Sequence, residues 1–278
     1  YAPAWQLLSG VHGALAIRAP RSEISRRAQE ALAEVDRAIA IDGDFAEAFS
    51  TRGWIRGWLL WDWPGAKADL QRALQLNPQS PDVLNAYAGF IGKAGRLSEA
   101  IALQRKAAEL DPLDAVDWTN LGAYLIQDGQ LGPAREAFLR SEEISPHNQE
   151  AAASLALLDL LEGHPAKALE AAGKLPDGPF RLMSIAIAQH DLGHAGESAA
   201  ALDALVAKVS SDEPDVAYLV AAVHAWRGER DQAFEWLETA YKRRELRLRL
   251  LRVEPHFRSL RGDPRLLALL KKMNLPLD

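Results

Sequence analysis

Small and apolar residues recur along this chain with a period close to 34 residues. A small residue marks each repeat, and successive markers lie 35, 34, 34, 34, 30 and 35 positions apart. The markers are Ala31, Ala66, Ala100, Ala134, Ala168, Ser198 and Ala233. The surrounding sequence is rich in alanine and leucine and poor in β-branched residues, which favours helix over strand. The pattern therefore predicts an all-α chain built from about seven copies of one helical unit.

Glycine and proline keep the same register as the markers. Glycines lie five residues before a marker at Gly95, Gly129, Gly163, Gly193 and Gly228, and prolines lie twelve residues after one at Pro78, Pro112 and Pro146. Glycine supplies a left-handed helix cap, proline begins a helix without its N–H, and a small residue lets two helices approach closely. Each unit is therefore a predicted helix–turn–helix. The predicted units are 1–44, 45–79, 80–113, 114–147, 148–176, 178–210 and 213–242, followed by a C-terminal cap, 243–278.

The fourth unit carries the most specific motif. Its first helix contains Trp118, Leu121, Gly122 and Tyr124, and its second contains Ala134, Phe138 and Pro146. These residues resemble the tetratricopeptide consensus W-x-x-L-G-x-x-Y…A-x-x-x-F…P, although Tyr124 falls one place early. The resemblance implies a right-handed α-solenoid that forms a single domain over residues 1–278 and serves as a protein–protein interaction scaffold.

Two places are expected to depart from a regular stack. An insertion around Ala19 to Ser25 is expected to lengthen the first turn. At the other end, Asp263 to Met273 is a predicted amphipathic capping helix whose apolar stripe is Leu266, Leu267, Leu269, Leu270 and Met273. Such a helix covers the last repeat of a solenoid.

Longer motifs resemble a narrower group of proteins. They are Trp61-Asp62-Trp63-Pro64, the run from Ala225 to Leu237, and the run from Pro255 to Arg265. They are similar to the C-terminal repeat regions of multidomain bacterial signalling proteins, in which a winged-helix domain, a protein kinase or a class III nucleotide cyclase precedes the repeats. This resemblance implies a sensory or partner-binding module of a bacterial regulator. Tyr1 opens the chain at a repeat boundary, so we expect further sequence upstream, and the resemblance implies that this sequence contains an effector domain.

The repeat register also predicts a peptide-binding groove on the concave face formed by the first helix of each unit. The predicted groove residues are Trp54, Trp58, Asn85, Lys93, Asn120, Gln127, Met183, His190, Tyr218 and Trp226. Asn and Gln can bond a peptide backbone, and Trp or Tyr can anchor an apolar side chain. The alternative is that these aromatic residues only pack between repeats. A second function, small-molecule sensing in a pocket near His190, Tyr218 and Trp226, stays open at this point.

Catalytic and metal-binding motifs give no support to an enzyme. The sequence contains no HExxH, GxxxxGK[ST] or GxSxG motif and no evident nucleophile with an orienting base, so no enzyme and no cofactor are predicted. His190 and His194 have the spacing of two ligands on one helix face, with Asp191 adjacent. Gly193 falls between them at the expected helix end, so they are predicted to be solvated turn histidines.

Charge narrows the choice of partner. The net charge of −6 and pI near 5.7 argue against a phosphate-backbone partner. Residues 242–272 hold eleven Lys or Arg and three acids, a surplus of eight, so the remainder carries −14. This basic segment is predicted to be the solvated face of the cap, paired with the acidic body; binding to nucleic acid, membrane or an acidic partner is the alternative.

Compartment is only weakly constrained. The chain has no cysteine, which suits the reducing cytoplasm and a bacterial periplasm alike, and we expect the cytoplasm. No apolar run is long enough for a membrane span, so membrane insertion is not predicted.

Overall fold

A computed structural model of the protein describes residues 1–17, 19, 21–146, 148–211 and 213–275. All regular secondary structure in these residues is helical. The α-helices are α1 (Ala2–Ile17), α2 (Arg21–Ile41), α3 (Ala46–Leu59), α4 (Trp63–Leu76), α5 (Pro81–Lys93), α6 (Leu97–Leu110), α7 (Ala115–Gln127), α8 (Leu131–Ile144), α9 (Gln149–Leu161), α10 (Pro165–Lys174), α11 (Pro179–Asp191), α12 (Ala195–Ala207), α13 (Val216–Trp226), α14 (Arg230–Lys242) and α15 (Pro264–Lys272). Short 3₁₀ helices span Lys208–Ser210, Leu246–Leu250 and Pro255–Leu260. The predicted all-α fold of seven helix pairs and a C-terminal helix is confirmed.

Packing follows the repeat. Helices α1 to α14 form seven consecutive pairs, each consisting of two helices that pack on each other. The chain divides into two compact units. The N-terminal unit comprises Tyr1–Pro112 and the segment from Leu270 onward, and the C-terminal unit comprises Leu113–Leu269. Within each unit the first helix of one pair contacts the first helix of the next, as α3 does with α5 and α11 with α13. The single domain over 1–278 stays a prediction.

The glycines of the repeat register form the predicted left-handed caps. At Gly129 φ is +83°, the Gly129 N–H donates to Ile126 O, and the Gln130 N–H donates to Leu125 O at 2.8 Å. These two hydrogen bonds form a Schellman motif, in which a left-handed residue ends the helix and lets the chain change direction. Gly95, Gly163, Gly193 and Gly228 adopt the same positive φ.

The repeat register continues past the seventh pair. Gly262, 34 residues after Gly228, has φ +86° and separates the 3₁₀ helix Pro255–Leu260 from α15. The Ser259 hydroxyl donates to Ala225 O, again 34 residues away. The C-terminal cap is therefore an incomplete eighth hairpin, in which a 3₁₀ helix takes the place of the first α-helix.

The first turn differs from its prediction. Helix α2 begins at Arg21, so most of the region expected to lengthen the turn is helical instead; residues 18 and 20 lie outside the described residues. Glu23 explains the early start, because a carboxylate in the first turn favours a helix and because it pairs with Arg26 and Arg27 at 3.2 and 2.8 Å. The extra residues lengthen the helix.

The apolar stripe of α15 is narrower than predicted. Leu266, Leu269, Leu270 and Met273 are buried, whereas Leu267 is 47% exposed. The four buried positions have the spacing i, i+3, i+4 and i+7 and share one helix face, and Leu267 falls beside that face. In the described residues, no helix combines the length and the apolar character that a membrane span requires.

Candidate functional site

A cleft in the N-terminal unit brings three predicted groove residues together. Trp54 and Trp58 of α3 and Lys93 of α5 contribute to its walls. The other lining residues are Gly53, Gly57, Trp63, Leu70, Ala86 and Phe90. The cleft contains about 240 Å³ of space, part of it open solvent, and its enclosed part has room for about one water molecule. It can therefore admit an apolar side chain only after its aromatic walls shift.

The two tryptophan rings lie against each other on one face of α3. They are four residues apart, their centroids are 6.1 Å apart, and the planes are inclined by 31°. Gly13 leaves the space that Trp54 fills, since a Cβ there would lie 2.7 Å from the Trp54 ring. Both rings stay half-buried, so each has a packed side and an accessible side. Packing and binding are thus compatible roles for this pair.

Lys93 places a positive charge at the cleft. Its ammonium group lies 4.6 Å from the centroid of the Trp58 ring and donates to Gly89 O at 2.7 Å. The residue is only 6% exposed. A buried ammonium held over an aromatic face is stabilised by the ring quadrupole. The cleft therefore combines apolar walls with one fixed cation.

The amide-bearing groove residues occupy half-buried positions on first helices. Asn85 lies on α5, and Asn120 and Gln127 lie on α7. Gln127 is notable because its Oε1 atom is buried and accepts no hydrogen bond from the described residues. Buried polar atoms are normally satisfied, so this acceptor is a candidate contact for a partner's N–H if binding moves the Gln127 side chain to the surface.

Two of the predicted groove residues in the C-terminal unit, Met183 and Tyr218, are buried. Tyr218 is 2% exposed, and Phe257 packs on its ring with a centroid distance of 5.0 Å. Burial raises the pKa of Tyr218 well above its ordinary value. Met183 is 6% exposed, whereas His190 is exposed. The Phe257 ring covers Tyr218, so a ligand can reach the Tyr218 side chain only if the 3₁₀ helix Pro255–Leu260 moves away.

Trp226 is held by other groups of the chain. Its indole N–H donates to the Asp191 carboxylate at 3.0 Å, and its ring lies 5.8 Å from that of His256. Together with Phe257 on Tyr218, these contacts place the 3₁₀ helix Pro255–Leu260 on the predicted small-molecule pocket. The sequence register located the positions correctly on first helices but did not reveal what lies over them.

Two residues of the possible metal group around His190, namely His194 and Asp191, have other partners. His194 Nδ1 lies 2.8 Å from Gln189 Oε1, and Asp191 accepts from Trp226. Elsewhere in the described residues, Asp159, Glu162 and His164 have potential ligand atoms within 4.8 Å of one another. Arg135 donates to both of these carboxylates, at 2.7 and 2.8 Å. The guanidinium thus already supplies the positive charge at that cluster.

Two cations of the basic segment, Arg247 and Arg265, have partners within the C-terminal unit. Arg265 donates to Asp231 at 2.7 Å, and its guanidinium lies 4.2 Å from the Phe234 ring centroid. Arg247 lies 4.4 Å from the Phe180 ring centroid and 3.6 Å from Glu150. These contacts agree with the predicted pairing of the segment with the acidic body.

Sequence reasoning missed Trp63 as a site residue. Its ring lines the cleft, is 5% exposed, and donates its indole N–H to the backbone carbonyl of Met273 at 3.2 Å. The only sign of Trp63 in the sequence was the aromatic stretch Trp61-Asp62-Trp63-Pro64, and the repeat register does not assign this stretch to the groove. The Asp62 carboxylate accepts the Gly65 N–H at 3.0 Å and so fixes the start of α4 beside Trp63.

Comparison with known proteins supports the repeat fold. No protein-family model matches the chain. Over 78 residues, 28% of the chain, it is 30% identical to the small glutamine-rich tetratricopeptide repeat-containing protein 2 of Mycosarcoma maydis, and the match spans only 22% of that protein's length.

Solved structures align over more of the chain. A tetratricopeptide repeat protein from Parabacteroides merdae aligns with 95% of this chain and 99% of its own, with a TM-score of 0.62 and 14% identity. PilW, a type IV pilus biogenesis factor, aligns with 74% of this chain and 96% of its own, with a TM-score of 0.59 and 24% identity. PilF of Pseudomonas aeruginosa has a TM-score of 0.55 and 18% identity, covering 73% of this chain and 94% of that one. At these identities the likeness establishes the tetratricopeptide-type helical-repeat fold alone.

Proposed function

We propose that this protein is a non-enzymatic scaffold that binds a peptide or protein partner through the first helices of its repeats. The observation that carries the proposal is the cleft formed by Trp54, Trp58 and Lys93 in the N-terminal unit. Half-buried tryptophans beside one fixed cation are typical of an anchor site, because aromatic rings contribute large contact areas at low entropic cost.

In the proposed complex, an apolar side chain of the partner packs on the accessible sides of the Trp54 and Trp58 rings. The cation of Lys93 favours a partner with an acidic group near that anchor. A single lysine differs from the Lys/Arg/Asn clamp by which some tetratricopeptide domains hold a terminal carboxylate. We therefore propose an internal peptide segment as the ligand.

The wider context is proposed from the sequence motifs. Their similarity to repeat regions of bacterial signalling proteins supports a role as the partner-binding part of a cytoplasmic regulator with an upstream effector domain. Sequencing the gene upstream of Tyr1 tests this directly, and a reading frame without an effector domain would contradict it.

The binding proposal is tested by selecting peptides on the intact chain from a random displayed library. Their affinity is then measured by fluorescence anisotropy for the parent, Trp58→Leu and Lys93→Met. Both substitutions leave an apolar side chain at the site, and we expect each to raise Kd at least about tenfold, the effect of losing a buried anchor.

Leu110→Ala is the matched control in the same unit, because Leu110 is 46% exposed and lies outside the cleft. Unchanged affinity is expected for this variant. Equal losses in the control and the cleft variants, or unchanged binding in Trp58→Leu, would contradict the proposal.

A further inference from the structure

We propose that the N-terminal unit contains a docking site for a short amphipathic helix end, and that the chain's own C-terminal segment occupies this site as an intramolecular competitor. The C-terminal segment is defined here as Leu270–Leu275. The inference rests on the proposed scaffold function for its biological meaning, since the competitor it displaces is the scaffold's partner.

The contact that defines the site joins Trp63 to Met273 within the N-terminal unit. The indole N–H of Trp63 donates to the Met273 backbone carbonyl at 3.2 Å, across 210 residues of sequence. Each group would otherwise lack a partner of this kind, because the indole is buried and the last carbonyls of a helix have no partner within it. The bond therefore satisfies a buried donor and a helix-end acceptor together.

The end of α15 is shaped for this contact. Asn274 has φ +52°, the Asn274 N–H donates to Lys271 O at 2.9 Å, and the Leu275 N–H donates to Leu270 O at 3.1 Å. This cap turns the chain back so that the residue after it meets the last turn of the helix. Leu270, Met273 and Leu275 are consequently buried at 5%, 2% and 4% exposure.

The segment also has a separate polar side. Lys271, Lys272 and Asn274 are exposed, whereas the three apolar side chains are buried. A ligand of this chemistry is a helix end with apolar residues at the spacing i, i+3 and i+5, polar residues between them, and a free carbonyl for the indole. The site recognises only this short arrangement of side chains and one carbonyl, so a helix end of another protein can bind there as well.

The location explains how the segment regulates binding. Trp63 is a wall of the cleft that also contains Trp54 and Trp58. Docking of the segment fixes the Trp63 ring, and the cleft encloses room for only about one water molecule in this state. A partner that carries such a helix end next to its anchor residue displaces the C-terminal segment, and the Trp63 ring is then free to move. Its apparent affinity is reduced by the fraction of molecules in which the site is occupied in cis.

The test uses the full-length chain and a fluorescein-labelled peptide of residues 264–275. Peptide affinity is measured by anisotropy for the parent, for the double variant Leu270→Ala/Met273→Ala, and for Leu267→Ala. We expect the peptide to bind the double variant at least tenfold more tightly than the parent, because weakening the cis segment frees the site. Leu267→Ala should behave like the parent, since Leu267 is exposed on the same helix.

Adding Trp63→Phe to the double variant keeps an aromatic ring and removes the indole donor, so we expect peptide affinity to fall again by at least threefold. Equal affinity for parent and double variant, or no dependence on Trp63, would overturn the inference. Hydrogen exchange on Trp63→Phe alone provides a second measurement if the double variant does not fold. Faster exchange of the Asn274 and Leu275 amides supports docking at Trp63, and unchanged exchange contradicts it.

The two proposals fail separately. Loss of selected-peptide binding in Trp58→Leu concerns the partner groove and does not involve the C-terminal peptide. If that result holds and the C-terminal peptide binds the parent and the double variant with equal affinity, only the self-occupied site is wrong.

Discussion

The carboxylate of Asp69 accepts two hydrogen bonds from the guanidinium of Arg52, at 3.0 and 2.7 Å, although Asp69 is only 4% exposed. Arg56 donates a third bond at 2.6 Å, and Asp36 binds the other side of Arg52 at 2.7 Å. Burial opposes the charge on Arg52, but its hydrogen bonds to Asp69 and Asp36 raise its pKa above the ordinary value. The network joins α2, α3 and α4 of the N-terminal unit.

Asp69→Asn should therefore destabilise the protein. The variant leaves Arg52 and Arg56 beside a neutral group in a partly buried place, and loss of one member of such a network costs about 3 kcal/mol. Asp44→Asn is the control, because Asp44 pairs with Arg72 at an exposed position and should cost less than about 1 kcal/mol. Urea unfolding followed by circular dichroism measures both. Equal effects would mean that the Asp69 network adds no more than a surface pair.

A second prediction concerns two glycines of the fourth helix pair. A Cβ on Gly122 would lie 2.7 Å from the ring of Phe138, which is fully buried, whereas a Cβ on Gly132 would meet nothing within 4 Å. Gly122→Ala should lower the free energy of unfolding by about 1–3 kcal/mol through overpacking. Gly132→Ala should raise it by up to about 1 kcal/mol, because alanine loses less backbone entropy in a helix. The same direction of change in both variants would contradict the assigned packing.

Gln127 offers a test that separates binding from folding. Replacing a buried acceptor that has no partner among the described residues should stabilise the free protein, so Gln127→Leu is expected to raise the free energy of unfolding by about 1 kcal/mol. If the Gln127 oxygen accepts a hydrogen bond from a bound partner, the same variant should also bind the corresponding peptides with lower affinity. Gln130→Leu is the control, because Gln130 is exposed. A Gln127→Leu protein that is less stable than the parent would show that the amide has a structural role.

Individual residues show which parts of the fold and of the candidate site the sequence could predict. The helix pairs and their caps follow from local rules. Gly129, for example, has a positive φ at the end of a helix, and glycine is the residue that adopts this conformation most readily. The same register located Trp54, Trp58 and Lys93 on first helices. Their meeting in one cleft could be expected because equivalent helices of neighbouring repeats pack side by side.

The remaining features depend on long-range packing that has no periodic signal. Tyr218 occupies a groove position in the register, but its exposure depends on Phe257, which lies in a segment whose Pro-His-Phe sequence does not predict an α-helix. The bond from Trp63 to Met273 uses a backbone carbonyl as acceptor, so the identity of the second residue carries no signal. The one available clue to the incomplete eighth hairpin was Gly262, which lies 34 residues after Gly228.

Glu245 gives the fold a defined dependence on pH. Its side chain is fully buried and accepts the N–H groups of Ala217 and Tyr218, at 3.3 and 2.8 Å, and a bond from Arg243 at 3.0 Å. Burial outweighs these hydrogen bonds and raises the pKa of Glu245 above its ordinary value of 4.5. The folded protein thus holds this proton more tightly than the unfolded chain. The stability contributed by Glu245 is fully present below the unfolded pKa and is lost as the pH rises through the folded pKa.

Glu245→Gln removes this titration and leaves a side-chain oxygen for the backbone N–H groups. The free energy of unfolding of the parent minus that of the variant should therefore decrease as the pH rises above the ordinary glutamate pKa of 4.5. Taking the difference cancels the other titrating groups, and denaturant unfolding at each pH provides both values. An increase over this range would mean that the hydrogen bonds to Glu245 outweigh its burial.

The last prediction tests α15 as a cover for the C-terminal unit. Leu266 is 8% exposed and follows Arg265, which binds Asp231 and stacks on Phe234 of α14, whereas the adjacent Leu267 is 47% exposed. Leu266→Ala removes a buried side chain and should cost about 2–3 kcal/mol, while Leu267→Ala should cost less than about 1 kcal/mol. Loosening the cover exposes an apolar repeat face, so Leu266→Ala should also self-associate, as seen by light scattering. If Leu266→Ala stays monomeric and unfolds like Leu267→Ala, α15 does not cover the repeats, and its basic residues are available for another partner.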